Sequence, residues 1–338
     1  MRLFRLSAVV LLAACAPQGG ETVPETPAAR PEPPPPRIEP QHTLAAENTH
    51  NRFSSTIPPV LTVAPGAVVE VHTKEATDGQ FTVDSTAADV AGVDFDPIHP
   101  LTGPIAVETA EPGDVLKVTL HEIEVGEWGW AAVVPGFGFL ADEFTEPYLK
   151  TFSFENGEAR FSDSIRIPLS PFPGVMGVAP ATEELLTTIP PRANGGNMDN
   201  KYLTEGTTVY FPIFVEGANF SIGDTHAVQG DGEVCGTAIE APMRIVLSLE
   251  VLKGARAIEE PQYETAEYYA VTGFAETLDE AAKKATRYMI DYLEAEHGLE
   301  RTEAYVLASL AGDLKISEVV DVPHVLVSMH LPKSIFRD

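Results

Sequence analysis

The sequence predicts a mainly β protein of the β-rich α+β class, with sheets arranged as in a β-sandwich and a helical pair near the C-terminus. Three observations carry that expectation. Short runs of β-branched and aromatic residues, bounded by Gly, Pro and Asp, recur between Val60 and Leu252. Helical apolar spacing begins only after Gly273. The 338 residues are ample for a substantial core, and that core must hold the fold without an intramolecular disulfide.

Taken in order, the chain starts with an address rather than a fold. Arg2 and Arg5 precede an apolar run, Leu6 to Ala14, too short to span a bilayer as a mature helix. That is the pattern of a secretory signal. The run ends in Leu12-Ala13-Ala14-Cys15, which resembles the bacterial lipobox, where the cysteine becomes the lipidated N-terminus. Residues 1–15 are therefore read as signal peptide and lipidated cysteine. Ala16, rather than Asp, follows, so the expected location is the bacterial cell envelope, at the outer membrane and facing the periplasm. Residues 16–46 are Pro-rich, with an unbroken run from Pro33 to Pro36, and read as an extended tether. Residues 47–338 make the folded domain. Cys235 is left as the one free thiol, either a nucleophile or a small buried side chain.

Folded sequence is expected from about His50. Val60 to Val63 and Val68 to His72 read as strands joined at Pro65-Gly66, and Lys74 to Gln80 as a loop ending in Asp78-Gly79. Pro97 to Pro104 holds three prolines in eight residues and is expected to be irregular. Ile105 to Val107 and Val115 to Val125 are strands on either side of Glu111-Pro112-Gly113-Asp114. Trp128-Gly129-Trp130 and Pro135-Gly136-Phe137-Gly138-Phe139 form an aromatic, glycine-rich patch, either a pocket wall or plain core. Ser164 to Pro173 gives a strand and a bend. Arg192 to Asn200 is too polar and Gly-rich for a strand interior and suits a loop-borne site. Thr207 to Val215 and Met243 to Leu252 are further strands. Leu278, Ala281, Ala285, Tyr288, Met289 and Tyr292 keep helical spacing behind a Thr277 or Asp279 cap, and Gly298 ends the run. A shorter helix follows from Thr302 to about Leu310, then a last strand, Leu326 to Leu331.

The stretch from Glu216 to Glu240 concentrates the chemistry. It carries five carboxylates (Glu216, Asp224, Asp231, Glu233, Glu240), one histidine and five glycines. If Asp224-Thr225-His226 is extended, Asp224 and His226 share a side, because strand side chains alternate. A carboxylate and an imidazole on one face make half of a divalent-metal site. The plainer alternative is a hairpin turn at Asp231-Gly232 and a hydrogen-bonded core histidine.

Several motifs, in order, resemble the acetamidase/formamidase family. They are Pro100-Leu101-Thr102-Gly103-Pro104, Glu111-Pro112-Gly113-Asp114, Pro135-Gly136-Phe137-Gly138 and Pro171-Phe172-Pro173-Gly174-Val175-Met176-Gly177. Gly195-Gly196-Asn197-Met198-Asp199 follows, and then Gly223-Asp224-Thr225-His226-Ala227-Val228-Gln229-Gly230-Asp231-Gly232-Glu233. The resemblance covers roughly His50 to Phe336. It implies a mainly β fold, hydrolysis of short amides to carboxylate and ammonia, a divalent metal and a homo-oligomer. The family's amidases are usually regarded as cytoplasmic, so the exported N-terminus departs from the pattern and bears on the substrate.

Within that resemblance, Asp199, Asp224 and His226 are the expected metal ligands, with His50 and Asp78 as further donors. Mixed nitrogen and oxygen donors favour zinc or a similar ion over calcium. Glu233 is the expected general base, with Glu240 as an alternate base or an orienting group, and Asn197 as a donor to the developing oxyanion. Glu240 has a competing reading as the ion-pair partner of Arg244. The expected partner is a small amide. The formal charge of −28 disfavours nucleic acid and anionic lipid as charge-driven partners, which leaves the N-terminal lipid as the membrane contact. Two rival functions stay open: hydrolysis of a larger or cyclic amide, and non-catalytic binding of a small molecule by a lipoprotein.

Overall fold

The computed structural model describes residues 38–337, in which two β-sheets face each other across one apolar core. The residues read as signal peptide, lipidated Cys15 and tether, up to residue 37, lie outside the described residues. The first sheet has nine strands, in the order His42–Leu44, Ala67–His72, Met243–Leu252, Val115–Val125, Thr208–Pro212, Gln262–Glu264, Tyr268–Ala275, Val325–Pro332 and Asp313–Glu318. Its pairs are antiparallel except the first, where His42–Leu44 runs parallel to Ala67–His72. The second sheet is built around Phe220–Val228. One edge of that strand pairs with Phe172–Gly177; on the other, Leu101–Val107 pairs as far as Gly223 and Ile239–Glu240 takes over at His226.

The mainly β architecture matches the expectation, and Val115–Val125 and Met243–Leu252 fall at the expected bounds. Alternation explains why: Val69, Val71, Val118, Leu120, Ile245 and Leu247 point into the shared core. The long helix Leu278–His297 lies on Tyr268–Ala275 and Val325–Pro332, burying Ala281, Ala285, Met289 and Leu293 against Val271, Val327 and Met329. Thr277 is its N-cap, accepting from the Glu280 N–H, and Gly298 ends it in the left-handed conformation. The second helix is Arg301–Ala311, capped through Glu300 and Glu303. No helix among the described residues is long and apolar enough to cross a membrane.

Four expectations need correction. The tether boundary at residue 46 is too late, since His42–Leu44 pairs with Val69 to Val71 and Leu44 is buried. A three-residue edge strand is too short to display a period. Folded chain likewise begins before His50, which itself pairs with Leu101. The proline-rich stretch before Pro104 is partly strand, Leu101–Val107, with Gly103 and Pro104 where the pairing to Phe220–Val228 shifts register. Gly195–Asn197, expected as loop, is a short strand beside Phe172–Gly177. The turns at Pro65-Gly66 and Glu111 to Asp114 carry the chain from one sheet to the other: Leu61–Val63 and Leu101–Val107 lie in the second, Ala67–His72 and Val115–Val125 in the first.

Candidate active site

The change of partner along Phe220–Val228 makes the site. Between Gly223 and His226 that edge has neither strand partner, and Asp224 occupies the gap in the left-handed conformation, φ 48°. Its carboxylate nevertheless reaches the His226 ring, with Asp224 Oδ2 3.5 Å from His226 Nε2. Glu240 is paired opposite His226, and its Oε2 stands 3.1 Å from Nε2 without hydrogen-bond alignment. Arg244 turns away to Glu70 and Glu122, which rules out the simple Glu240–Arg244 pair. Asp199 follows the Gly195–Asn197 strand, and its Oδ1 lies 3.6 Å from His226 Nδ1. Glu233 rides on the loop joining Phe220–Val228 to Ile239–Glu240, which Tyr202 and Lys201 pin through Asp231.

Asp199, Asp224 and Glu233 are three of the eight non-glycine residues with positive φ among those described. Strained backbone persists where packing over-determines it, and here it aims carboxylates inward. Gly174, opposite Asp224 on the neighbouring strand, completes the cradle. A Cβ there would collide with Asp199 Oδ1 and lie 2.7 Å from His226 Cε1 and 2.8 Å from the Asp224 carbonyl.

These groups are almost wholly removed from water, and among the described residues no Lys or Arg lines the cavity they form. Burial, with lesser help from other carboxylates, raises the pKa of Asp199. Burial and the nearby Asp199 charge push Glu233 well above the usual carboxylate range, and burial brings Glu240 to about 7 against the pull of His226. Burial also opposes an ionised Asp224, but His99 and His226 outweigh it and hold its pKa low. For His226 burial opposes the charged ring, while Glu240 and Asp224 raise its pKa well above the ordinary value.

The site passes a test of fit for a cation. Buried polar atoms normally find a partner. Those without one among the described residues are His99 Nδ1, Asn197 Oδ1, Asp199 Oδ1, Asp224 Oδ1 and Glu240 Oε2, all of residues lining this cavity, and Glu318 Oε1. Two overlapping donor sets, Asp199–His226–Glu233 and Asp224–His226–Glu240, each bring their atoms within 4.8 Å. Their nitrogen and oxygen donors suit zinc or a similar ion.

Two expected donors are elsewhere. His50 is committed at both ring nitrogens, 2.7 Å from the Arg52 carbonyl and 2.8 Å from Ser221 Oγ, because it braces the start of the fold. Asp78 is a turn residue, φ 60°, ion-paired with Lys74. Asn197 is at the site, but its amide nitrogen donates to Asp321 Oδ2 at 2.9 Å and its partnerless atom is the oxygen. It offers an acceptor where an oxyanion donor was expected. Cys235 is exposed and outside this cavity.

Sequence reasoning missed His99, Asp321 and Gln229. His99 Nδ1 lies 3.7 Å from Asp224 Oδ2. Asp321 faces Asp199, and burial with the Glu318 charge pushes its carboxyl well above the usual range. Gln229 lies within the 223–233 stretch, and its role follows only from its partners.

The cavity is about 160 Å³. Its floor is the carboxylate cluster; its walls include Phe81, Trp130, Val134 and Phe137, so the aromatic patch is in part a pocket wall. Phe81 packs edge-on to Trp130 at 4.7 Å, and Trp130 Nε1 donates to Glu75 at 2.8 Å.

Known proteins resemble this chain in sequence and in structure. An acetamidase from Mycolicibacterium smegmatis is 35% identical over 269 residues, which cover 61% of this chain and 66% of that protein, just under two thirds of it. The crystal structure of an acetamidase from Bacillus halodurans superposes with a TM-score of 0.83 at 34% identity, covering 87% of this chain and 98% of that one. A gamma lactamase from Delftia acidovorans superposes with a TM-score of 0.63 at 28% identity, covering 88% of this chain and 94% of that one. The profile of the acetamidase/formamidase family matches residues 37–187 and 181–338, together the whole of the described chain, and the protein belongs to that family.

Proposed function

We propose that the protein is an amidase that hydrolyses the C–N bond of a short linear amide to carboxylate and ammonia, using a divalent cation, zinc by preference. The carrying observation is the convergence of partnerless buried nitrogen and oxygen atoms on the floor of a small, apolar-walled cavity. The family membership and the acetamidase relatives support the same reaction.

Asp224, His226 and Glu240 would hold the cation, with Asp199 facing them across the ring. When bound, a divalent cation polarises a carbonyl and makes water a better nucleophile near neutral pH. Glu233 is the proton carrier: its raised pKa makes its carboxylate a stronger base toward water, and the proton it takes can pass to the departing nitrogen. The water oxygen bonds to the carbonyl carbon, the C–N bond breaks, and the nitrogen leaves as ammonia with that proton. Asn197 Oδ1 is placed to accept from the substrate's N–H. The aromatic wall receives the acyl group and excludes water.

A cyclic amide is the second reading. The likeness to the gamma lactamase favours it. So does cavity size, since an apolar cavity of about 150 Å³ holds a molecule as large as benzene. Plain binding without turnover is separated from the linear-amide reading by ammonia release, and from the cyclic-amide reading by ring opening to an amino acid, which releases no ammonia.

The direct test uses two variants. His226→Ala should lower bound metal and turnover together. Glu233→Gln should keep the metal and lose about a hundredfold or more in kcat, the usual size of general-base catalysis. Full turnover in Glu233→Gln with intact metal would show that Glu233 is not the base. We also place the mature protein on the envelope through a lipidated Cys15, on the strength of the Leu12-Ala13-Ala14-Cys15 run. Cys15→Ser should then release it from membranes, and a wild type that fractionates as soluble, unlipidated protein would end the idea.

A further inference from the structure

The orientation of one buried amide decides which side of His226 can meet a cation. Gln229 Nε2 lies 2.7 Å from the Asp199 carbonyl and 3.3 Å from the Ser317 carbonyl. Carbonyl oxygens accept only, so the atom facing them must be the amide N–H₂. Rotating the amide by half a turn would press its oxygen against two other oxygens. Gln229 Oε1 is thereby fixed 2.9 Å from His226 Nδ1. An oxygen at that distance requires Nδ1 to carry a proton. In the neutral ring the lone pair then belongs to Nε2, which faces Glu240 Oε2 at 3.1 Å and Asp224 Oδ2 at 3.5 Å.

We infer that Gln229 is a positioning residue that fixes the His226 tautomer, so that the ring meets the cation through Nε2 in company with Asp224 and Glu240. Of the two overlapping donor sets, Asp199–His226–Glu233 is thereby denied the ring's lone pair. Glu233 is left free to carry protons. The same amide ties the Asp199 backbone to the ring, so the two halves of the cluster keep a fixed spacing. Hydrogen bonds of this kind orient metal-binding histidines and raise their basicity. The inference rests on the metal reading above.

The full chain, with heavy-nitrogen-labelled histidines, is loaded with zinc and its ring nitrogens are followed by long-range proton–nitrogen correlation. The His226 signals are assigned by their loss in His226→Gln. The expected result is a protonated Nδ1 and a metal-shifted Nε2. In competition with a chelator, Gln229→Met should bind zinc about 10–100-fold more weakly. Zinc on Nδ1 with a protonated Nε2 would overturn the inference, as would wild-type zinc affinity in a folded Gln229→Met. The spectrum of the unaltered protein decides the point even where that variant does not fold. A wild type that binds no zinc overturns the metal reading first, before any variant is compared.

Discussion

Gly174 has room for a hydrogen and nothing larger. Any side chain there must displace Asp199, His226 or the Asp224 backbone. Crowding of this kind costs about 1–3 kcal/mol in stability. Gly174→Ala is therefore expected to fold with a lowered thermal midpoint and to lose bound metal and turnover together. Undiminished zinc and activity in that variant would show that the strands can part without disturbing the site. The Asp224–His226 pair was readable from sequence as a carboxylate and an imidazole two residues apart, although Asp224 reaches the ring from the left-handed conformation rather than from an extended one. Glu233 and Glu240 were readable as carboxylates in a glycine-rich stretch, though their roles were not separable. His99 and Asp321 were not readable: one sits among prolines and the other beyond both helices, and only the fold brings them to Asp224 and Asp199. His50 misled because a histidine beside a polar start offers no clue that Ser221 and the Arg52 carbonyl will occupy both its nitrogens.

Among elements, the strand Phe220–Val228 shows what periodicity can and cannot foresee. Phe172–Gly177 and Ile239–Glu240 were not read as strands, whereas extended chain at Asp224 to His226 and a strand at Ile105 to Val107 were legible. The exchange of one edge partner for another was not, because it depends on Leu101–Val107 stopping at Gly223 and Ile239–Glu240 starting at His226. That exchange frees backbone for Asp224. Likewise the long helix was legible from its spacing, its Thr277 cap and its Gly298 stop. The division of Leu61–Val63 and Ala67–His72 between two sheets was not, since a Pro-Gly turn looks the same whether it folds a strand back or carries it across. The edge strand His42–Leu44 was hidden by proline-rich composition on its N-terminal side.

At the scale of the molecule, the buried acid cluster should govern how stability responds to pH. Burial raises Glu240 to about 7 and, behind the cluster, Glu318 to about 8, against an ordinary 4.5 in the unfolded chain. Between those values the folded protein keeps protons that the unfolded chain has shed, so stability falls as pH rises from about 5 to about 8. The raised His226 acts in the same direction, whereas the lowered Asp224 contributes only at more acidic pH. Thermal midpoints of metal-free protein should drop across that window. Glu318→Gln, which keeps an acceptor for the Val320 and Asp321 N–H groups, should flatten the slope. A midpoint that rises with pH in that range would contradict the assignment of these protons.

The central claim is that a cation held by this cluster is needed to split a small amide. Ammonia release from acetamide and formamide, measured alongside metal content in one preparation before and after chelation, tests it most directly. The expected result is turnover in metal-bearing protein, loss on chelation and recovery on adding zinc. Undiminished ammonia release from protein proven free of metal would contradict the claim.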